Sequence, residues 1–267
     1  MAGPSVSTAE RTAVAYEVDS LGVRLNSTDG PRQIVRDISF DVAPGEIVGI
    51  VGRSGVGKTT LLRVLGGLLA PSSGTVFLGN RAVHGPPADV VVVFQDYDNA
   101  LLPWRTVERN VALGLEGRVP RRERRSRVER ALGLVGLDGR GKEYPRRLSG
   151  GMAQRVQIAR ALAVQPTVLL MDEPFGALDA LTKATLQDVL LDIHAQTRTT
   201  IVFITHDLDE AIYLSDRVLV LAGAPGTITR ALPTGLPRPR DQLATRELPG
   251  YLRVRHQLWE ALRADHG

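Results

Sequence analysis

Apolar residues along the chain fall into short blocks of two kinds, and the two kinds alternate. Runs of four to six residues rich in valine, isoleucine and leucine, at 47–51, 90–94, 167–171, 200–205 and 217–222, have the length and composition of buried strands. Between them lie longer stretches with apolar residues every third or fourth position, at 60–69, 106–115, 121–135, 148–164, 181–196 and 208–214, which predict helices. In the first of these, Leu61, Leu62, Leu65 and Leu68 form the apolar side. The opening of the chain differs. Residues 13–25 and 33–42 read as two strands around a turn at 26–32, and Ile38, Phe40 and Val42 alternate there with Asp37, Ser39 and Asp41. Strands are also expected at 75–78 and at 227–232, the latter across a turn at 223–226. Strand-helix alternation predicts a mostly parallel sheet with helices on both faces. The nearly continuous valines of 90–94 predict a strand buried on both faces.

The pattern also divides the chain. Residues 1–12 are small and polar and are expected to be disordered. Residues 13–235 form one domain, in which helical patterns from about 96 to 164 mark an inserted helical subdomain. Residues 236–267 are a Pro/Arg linker, Leu236 to Arg240, and a last helix to about residue 264. No apolar run reaches the roughly 20 residues that cross a bilayer, and residues 1–11 lack a signal core. Any membrane role is therefore expected to run through a partner.

Composition changes this picture only a little. The 267 residues are 43% hydrophobic, enough for a proper core. Thirty-three basic against 29 acidic residues leave a net charge of +4, which favours anionic partners mildly. There is no cysteine, which excludes disulfides, thiolate catalysis and cysteine-ligated zinc. An arginine run (Arg118, Arg121, Arg122, Arg124, Arg125, Arg127, Arg130) is either a solvated helix face or a contact for phospholipid headgroups or an acidic partner. No aromatic residues interleave with it, which speaks against nucleic acid.

The candidate chemistry begins directly after the strand at 47–51. Gly52-Arg53-Ser54-Gly55-Val56-Gly57-Lys58-Thr59 satisfies G-x-x-x-x-G-K-[ST], and Thr60 continues into a helix. Glycines let successive backbone N–H groups converge on one anion, and the helix N-terminus adds its positive dipole end. Lys58 supplies a point charge for the outer phosphates, and the Thr59 hydroxyl is a natural magnesium ligand. Farther on, an apolar strand ends in Asp172-Glu173, at the edge where ligands collect in open α/β sheets. Asp172 suits a magnesium ion held through water, and Glu173 suits orientation of an attacking water. Ser149-Gly150-Gly151 opens a helix and offers a second anion site.

With Gln95, Leu148-Ser149-Gly150-Gly151, Ala177-Leu178-Asp179 and His206 in this order and spacing, residues 15–225 resemble the ATP-binding cassette ATPases. The resemblance implies an α/β fold: a P-loop NTPase (RecA-like) core with an N-terminal antiparallel β subdomain and the inserted α-helical subdomain. It implies that Gln95 is a magnesium ligand sensing the γ-phosphate, that His206 contacts that phosphate, and that Ser149, Gly150 and Gly151 bind ATP held by a second copy of the chain. Asp179 then lies across that dimer interface. ATP and Mg2+ are the implied cofactors. Met152, where the signature usually has glutamine, the stretch Leu101-Leu102-Pro103-Trp104-Arg105-Thr106-Val107, and the tail Leu236 to Arg240 resemble the subgroup importing nitrate, sulfonates and taurine. That subgroup works at the cytoplasmic face of the cell membrane with a membrane-spanning permease and an extracytoplasmic solute-binding protein. Trp104 is either part of the docking surface or a core residue. Leu25 stands where the family often stacks adenine on an aromatic ring. Other cassette ATPases, of the DNA-maintenance, translation-factor or regulatory-switch kind, are the alternatives. The first carries a long coiled coil and the second two cassettes per chain, and neither feature is present in the sequence. Glu173 and His206 together speak against the third.

Overall fold

The computed structural model describes residues 15–27, 30–95, 100–176 and 178–263. The segment 1–12, Ala177 and the end of the last helix at 264 lie outside the described residues. Two sheets form the body. Strands β1 (Tyr16–Ser27), β2 (Gly30–Val42), β4 (Ser73–Leu78) and β5 (Arg81–Ala82) make an antiparallel sheet in the order β2-β1-β4-β5. The second sheet orders β10 (Thr227–Pro233), β9 (Arg217–Ala222), β3 (Ile47–Val51), β8 (Thr200–Thr205), β7 (Val168–Asp172) and β6 (Val90–Val93). All its neighbours are parallel except β10 on β9.

Period-two alternation of the central strands sorts their side chains onto two cores. Val48, Ile50, Leu170, Val202 and Ile204 face the antiparallel sheet and helix α1 (Lys58–Leu65). Ile47, Val51, Leu169, Met171, Ile201 and Phe203 face the helices on the other side. Those are α2 (Val107–Val111), α3 (Arg121–Leu134), α4 (Gly150–Ala163), α5 (Ala180–Thr197), α6 (Leu208–Leu214) and α8 (Pro249–Arg263), and α7 (Ala244–Glu247) leads into the last of them. Among the described residues no helix is long and apolar enough to cross a membrane.

Several expectations need correction. The hairpin is tighter than expected, because Asn26 pairs with Pro31 and Ser27 with Gly30. Proline is tolerated there because β2 is an edge strand. The valine strand is also an edge. Val90, Val91 and Val92 are only partly buried and Phe94 is exposed. A continuous apolar run reports apolar neighbours, not a central place in the sheet. Helix α1 starts at Lys58 and stops at Leu65, so Leu68 falls outside it and is exposed. Gly66 caps it, and Gly67, at φ +67°, packs so closely that a Cβ would lie 2.2 Å from the Gly85 carbonyl oxygen. The helix expected at 106–115 tightens into a 3-10 turn at Ala112–Leu115, and the one expected from 148 begins at Gly150. Trp104 is 71% exposed and is not a core residue.

The Pro/Arg segment is tied to the core. Leu236 is buried, and the Arg240 guanidinium, 1% exposed, donates to the carbonyls of Tyr213 at 2.6 Å and Ser215 at 2.9 Å. Burial pulls the Arg240 pKa down to about 10. Beyond it, Tyr251, Val254 and Leu258 of α8 pack onto the helical side of the core. Arg240→Met leaves the Tyr213 carbonyl without this donor, while the Ser215 carbonyl keeps the Thr234 hydroxyl at 2.7 Å. The expected cost is about 1–3 kcal/mol, read as a lower urea midpoint with an unchanged slope.

Candidate active site

The phosphate-type loop joins β3 to α1, and two of its glycines are required by the backbone. A Cβ at Gly52 would lie 2.3 Å from the Leu221 carbonyl oxygen. Gly57 is left-handed at φ +109°, and a Cβ there would meet Val35 at 2.6 Å. Arg53, Ser54 and Gly55 are exposed, Val56 is buried, and Thr60 lies in the first turn of α1. Lys58 is buried, and its ammonium donates to the carbonyls of Gly52 at 2.8 Å and Arg53 at 2.9 Å. Burial lowers its pKa, while the charges of Glu173 and Asp172 oppose that shift.

Strand β7 brings its two carboxylates to the same edge. Asp172 is buried, and burial raises its pKa against a hydrogen bond from the Thr59 hydroxyl. A buried carboxylate joined to a hydroxyl is the hard-oxygen donor set that suits Mg2+. No cluster of three or more His, Cys, Asp or Glu side chains able to hold a metal occurs among the described residues. An ion held by Asp172 and Thr59 would take its remaining oxygen ligands from water or phosphate, as Mg2+ in phosphate sites does.

Glu173 leaves the strand with φ +46°, a left-handed backbone that a glutamate rarely adopts. Its N–H donates to the Ile204 carbonyl at 2.9 Å, which holds the bend against β8. The turn aims the side chain at two neighbours. Gln95 Nε2 donates to Glu173 Oε2 at 3.2 Å, and His206 Nδ1 lies 3.1 Å from the same oxygen. Gln95 follows β6 and His206 follows β8, so four strand ends converge on one edge.

The other predicted residues stand apart. Ser149 caps α4 by accepting from Met152 N at 3.3 Å. Asp179 caps α5 by accepting from Thr182 N at 3.1 Å, and the Thr182 hydroxyl and amide hold its carboxyl below the usual range. Gly150 is exposed, and a Cβ at Gly151 would lie 2.4 Å from Thr182 Cγ2, so the starts of α4 and α5 abut. Among the described residues, Ser149 and Asp179 make no hydrogen bond to residues 52–60. Leu25 is in β1, paired with Arg32, and partly exposed. Sequence reasoning missed Lys183, which bonds Asp207 and Glu210 immediately after His206. Its signal was an acidic pair three residues apart beside the histidine.

A phosphate loop with a buried lysine, and carboxylate, amide and imidazole side chains at the ends of neighbouring parallel strands, define a P-loop ATPase. The chain belongs to the ABC transporter family, whose pattern matches residues 35–176, and is an ATP-binding cassette ATPase. It is 47% identical over 228 residues to the nitrate import ATP-binding protein NrtC of Synechococcus elongatus, covering 84% of this chain and 34% of that protein. It thus spans about a third of the length of that relative. It is 48% identical over 217 residues to the aliphatic sulfonates import ATP-binding protein SsuB 1 of Xanthomonas axonopodis pv. citri, covering 80% of this chain and 85% of that one. Among solved structures, the cassette MJ0796, a dimer in a post-hydrolysis state bound to ADP and Pi, superposes with a TM-score of 0.71. It is 29% identical and covers 82% of this chain and 98% of its own.

Asparagine tolerates the left-handed region far better than glutamate does. Glu173→Asn is therefore expected to stabilise the protein by about 1 kcal/mol, seen as a higher melting temperature, while ATP hydrolysis is lost.

Proposed function

We propose that this chain is the ATP-hydrolysing subunit of an importer for a small oxyanion such as a sulfonate, taurine or nitrate. The observation that carries the catalytic reading is the Glu173 carboxylate. It meets Gln95 and His206 at the strand ends that neighbour the Lys58 loop. The names of the nitrate and sulfonate relatives support the solute class.

Residues 52–60 cradle the phosphates of ATP, with Lys58 moving from its own loop carbonyls to the outer phosphates. Thr59, Asp172 and Gln95 hold Mg2+, which supplies charge neutralisation to the nucleotide. Glu173 orients a water whose oxygen attacks the γ-phosphorus as the bond to the ADP oxygen breaks. With Nδ1 engaged by Glu173, His206 has Nε2 left for the γ-phosphate. Two copies close head-to-tail, so that Ser149, Gly150 and Gly151 of one meet the ATP of the other and Asp179 lies between them. In phosphoryl transfer one added donor of this kind is worth about a thousandfold in rate, so a lone subunit is slow. Exposed Trp104, in the stretch after Gln95, docks on a membrane-spanning permease. The chain then sits at the cytoplasmic face of the membrane and works with an extracytoplasmic solute-binding protein. It has no nucleic-acid partner.

Glu173→Gln is expected to bind ATP without hydrolysing it and so to accumulate the dimer. Size-exclusion chromatography with light scattering, with and without ATP and Mg2+, reads this directly. Hydrolysis at the wild-type rate by this variant would remove Glu173 from its role. Lys58→Ala should weaken nucleotide binding and abolish turnover.

A further inference from the structure

Lys183 lies in the first turn of α5, four residues after Asp179, and its N–H donates to the Asp179 carbonyl at 2.9 Å. Its ammonium makes two short ion pairs, to Asp207 Oδ2 at 2.7 Å and to Glu210 Oε2 at 2.7 Å. Both acids belong to the turn that follows His206. Asp207 is the next residue and caps α6 by accepting from Glu210 N at 3.1 Å. Its own N–H donates to Thr205 Oγ1 at 3.0 Å, on the strand side of the histidine. Glu210 is only 2% exposed. One cation therefore grips both ends of the first turn of α6. The third acid of that turn, Asp209, points the other way, to Tyr251 Oη at 2.9 Å and Arg255 Nε at 3.0 Å on α8.

This arrangement asks for more than stability. A buried carboxylate without a partner is costly, but a well-packed apolar pair between α5 and α6 would hold the helices as well or better. A bridge from one ammonium to two carboxylates adds direction. It fixes the rotation of the α6 first turn relative to α5, and the backbone at Asp207 fixes where the His206 ring emerges. That ring contacts Glu173 Oε2 at 3.1 Å, so a small rotation at Asp207 alters the contact.

We propose that Lys183 is a positioning residue for His206, which transmits the placement of the α5 N-terminus, and with it Asp179, to the imidazole facing Glu173. The inference rests on the catalytic reading above. It ties the segment assigned to the dimer interface to the group assigned to the γ-phosphate through one side chain.

The test compares Lys183→Met, Lys183→Arg and the double variant Lys183→Met/Glu210→Gln by three readouts. These are steady-state ATPase kinetics, thermal melting, and the His206 ring resonance in 13C-histidine-labelled protein, assigned with His206→Ala. Lys183→Met should lower the melting temperature and reduce kcat roughly ten- to a hundredfold, the scale of a small misplacement at a reacting centre, with KM for ATP unchanged. The double variant removes the unpaired buried charge, so it should regain the melting temperature while kcat stays low. Lys183→Arg should restore most of kcat. The His206 resonance should move in both methionine variants and return in the arginine one. A double variant that both melts and turns over like wild type, or a His206 resonance that stays in place in both methionine variants, would overturn the proposal. Absence of ATPase in the wild-type chain would instead refute the catalytic reading, and the resonance would still decide the role of Lys183.

Discussion

Val51 pairs with Thr205, Ile204 with Asp172, and Met171 with Val93. This parallel register aligns the ends of β3, β8, β7 and β6, and every group at the candidate site is attached one to nine residues past one of those ends or at it. The side-chain period of a strand is two, so a slip of one residue in β7 would send Asp172 to the opposite face and bury Glu173 in its place. The apolar alternation that fills the two cores is therefore also what aims the chemistry. The site needs no dedicated scaffold beyond the packing of valines, leucines and isoleucines on the two faces of one sheet.

The loop and the carboxylates were legible because their signals are local. A glycine loop between a strand and a helix carries its own geometry, and an apolar strand ending in Asp-Glu places both acids at the sheet edge wherever the strand sits. What was not legible depends on contacts distant in sequence. The valines of β6 look the same in an edge strand as in a central one. The end of α1 is set by the approach of Gly67 to Gly85, which no periodicity contains. The left-handed backbone of Glu173 has no composition signal, since a glutamate there is the less comfortable choice. The Leu236–Arg240 segment reads as linker by its prolines, but Arg240 reaches carbonyls more than two dozen residues earlier. Ser149 and Asp179 are visible in the fold only as helix caps.

Electrostatics at the site run against solvation. Lys58 and Asp172 are both buried, and both are pushed toward their neutral forms by that burial. Their neighbours oppose those shifts: Glu173 and Asp172 act on Lys58, and the Thr59 hydrogen bond and the Lys58 charge act on Asp172.

The division of the hydrophobic interior by the main sheet has a further meaning. Val56, Leu61, Leu62 and Leu65, which support the phosphate loop, belong to the core shared with the antiparallel sheet. Met171, Phe175 and the apolar side of α6, which support Glu173 and His206, belong to the core shared with the helices. The half of the site assigned to nucleotide binding and the half assigned to hydrolysis are thus anchored in different packing environments and meet along strand ends. Affinity and turnover are separately heritable traits in such a molecule. A lineage can drift in one core and keep the other, and so can hold its fuel equally well while adjusting how fast it burns.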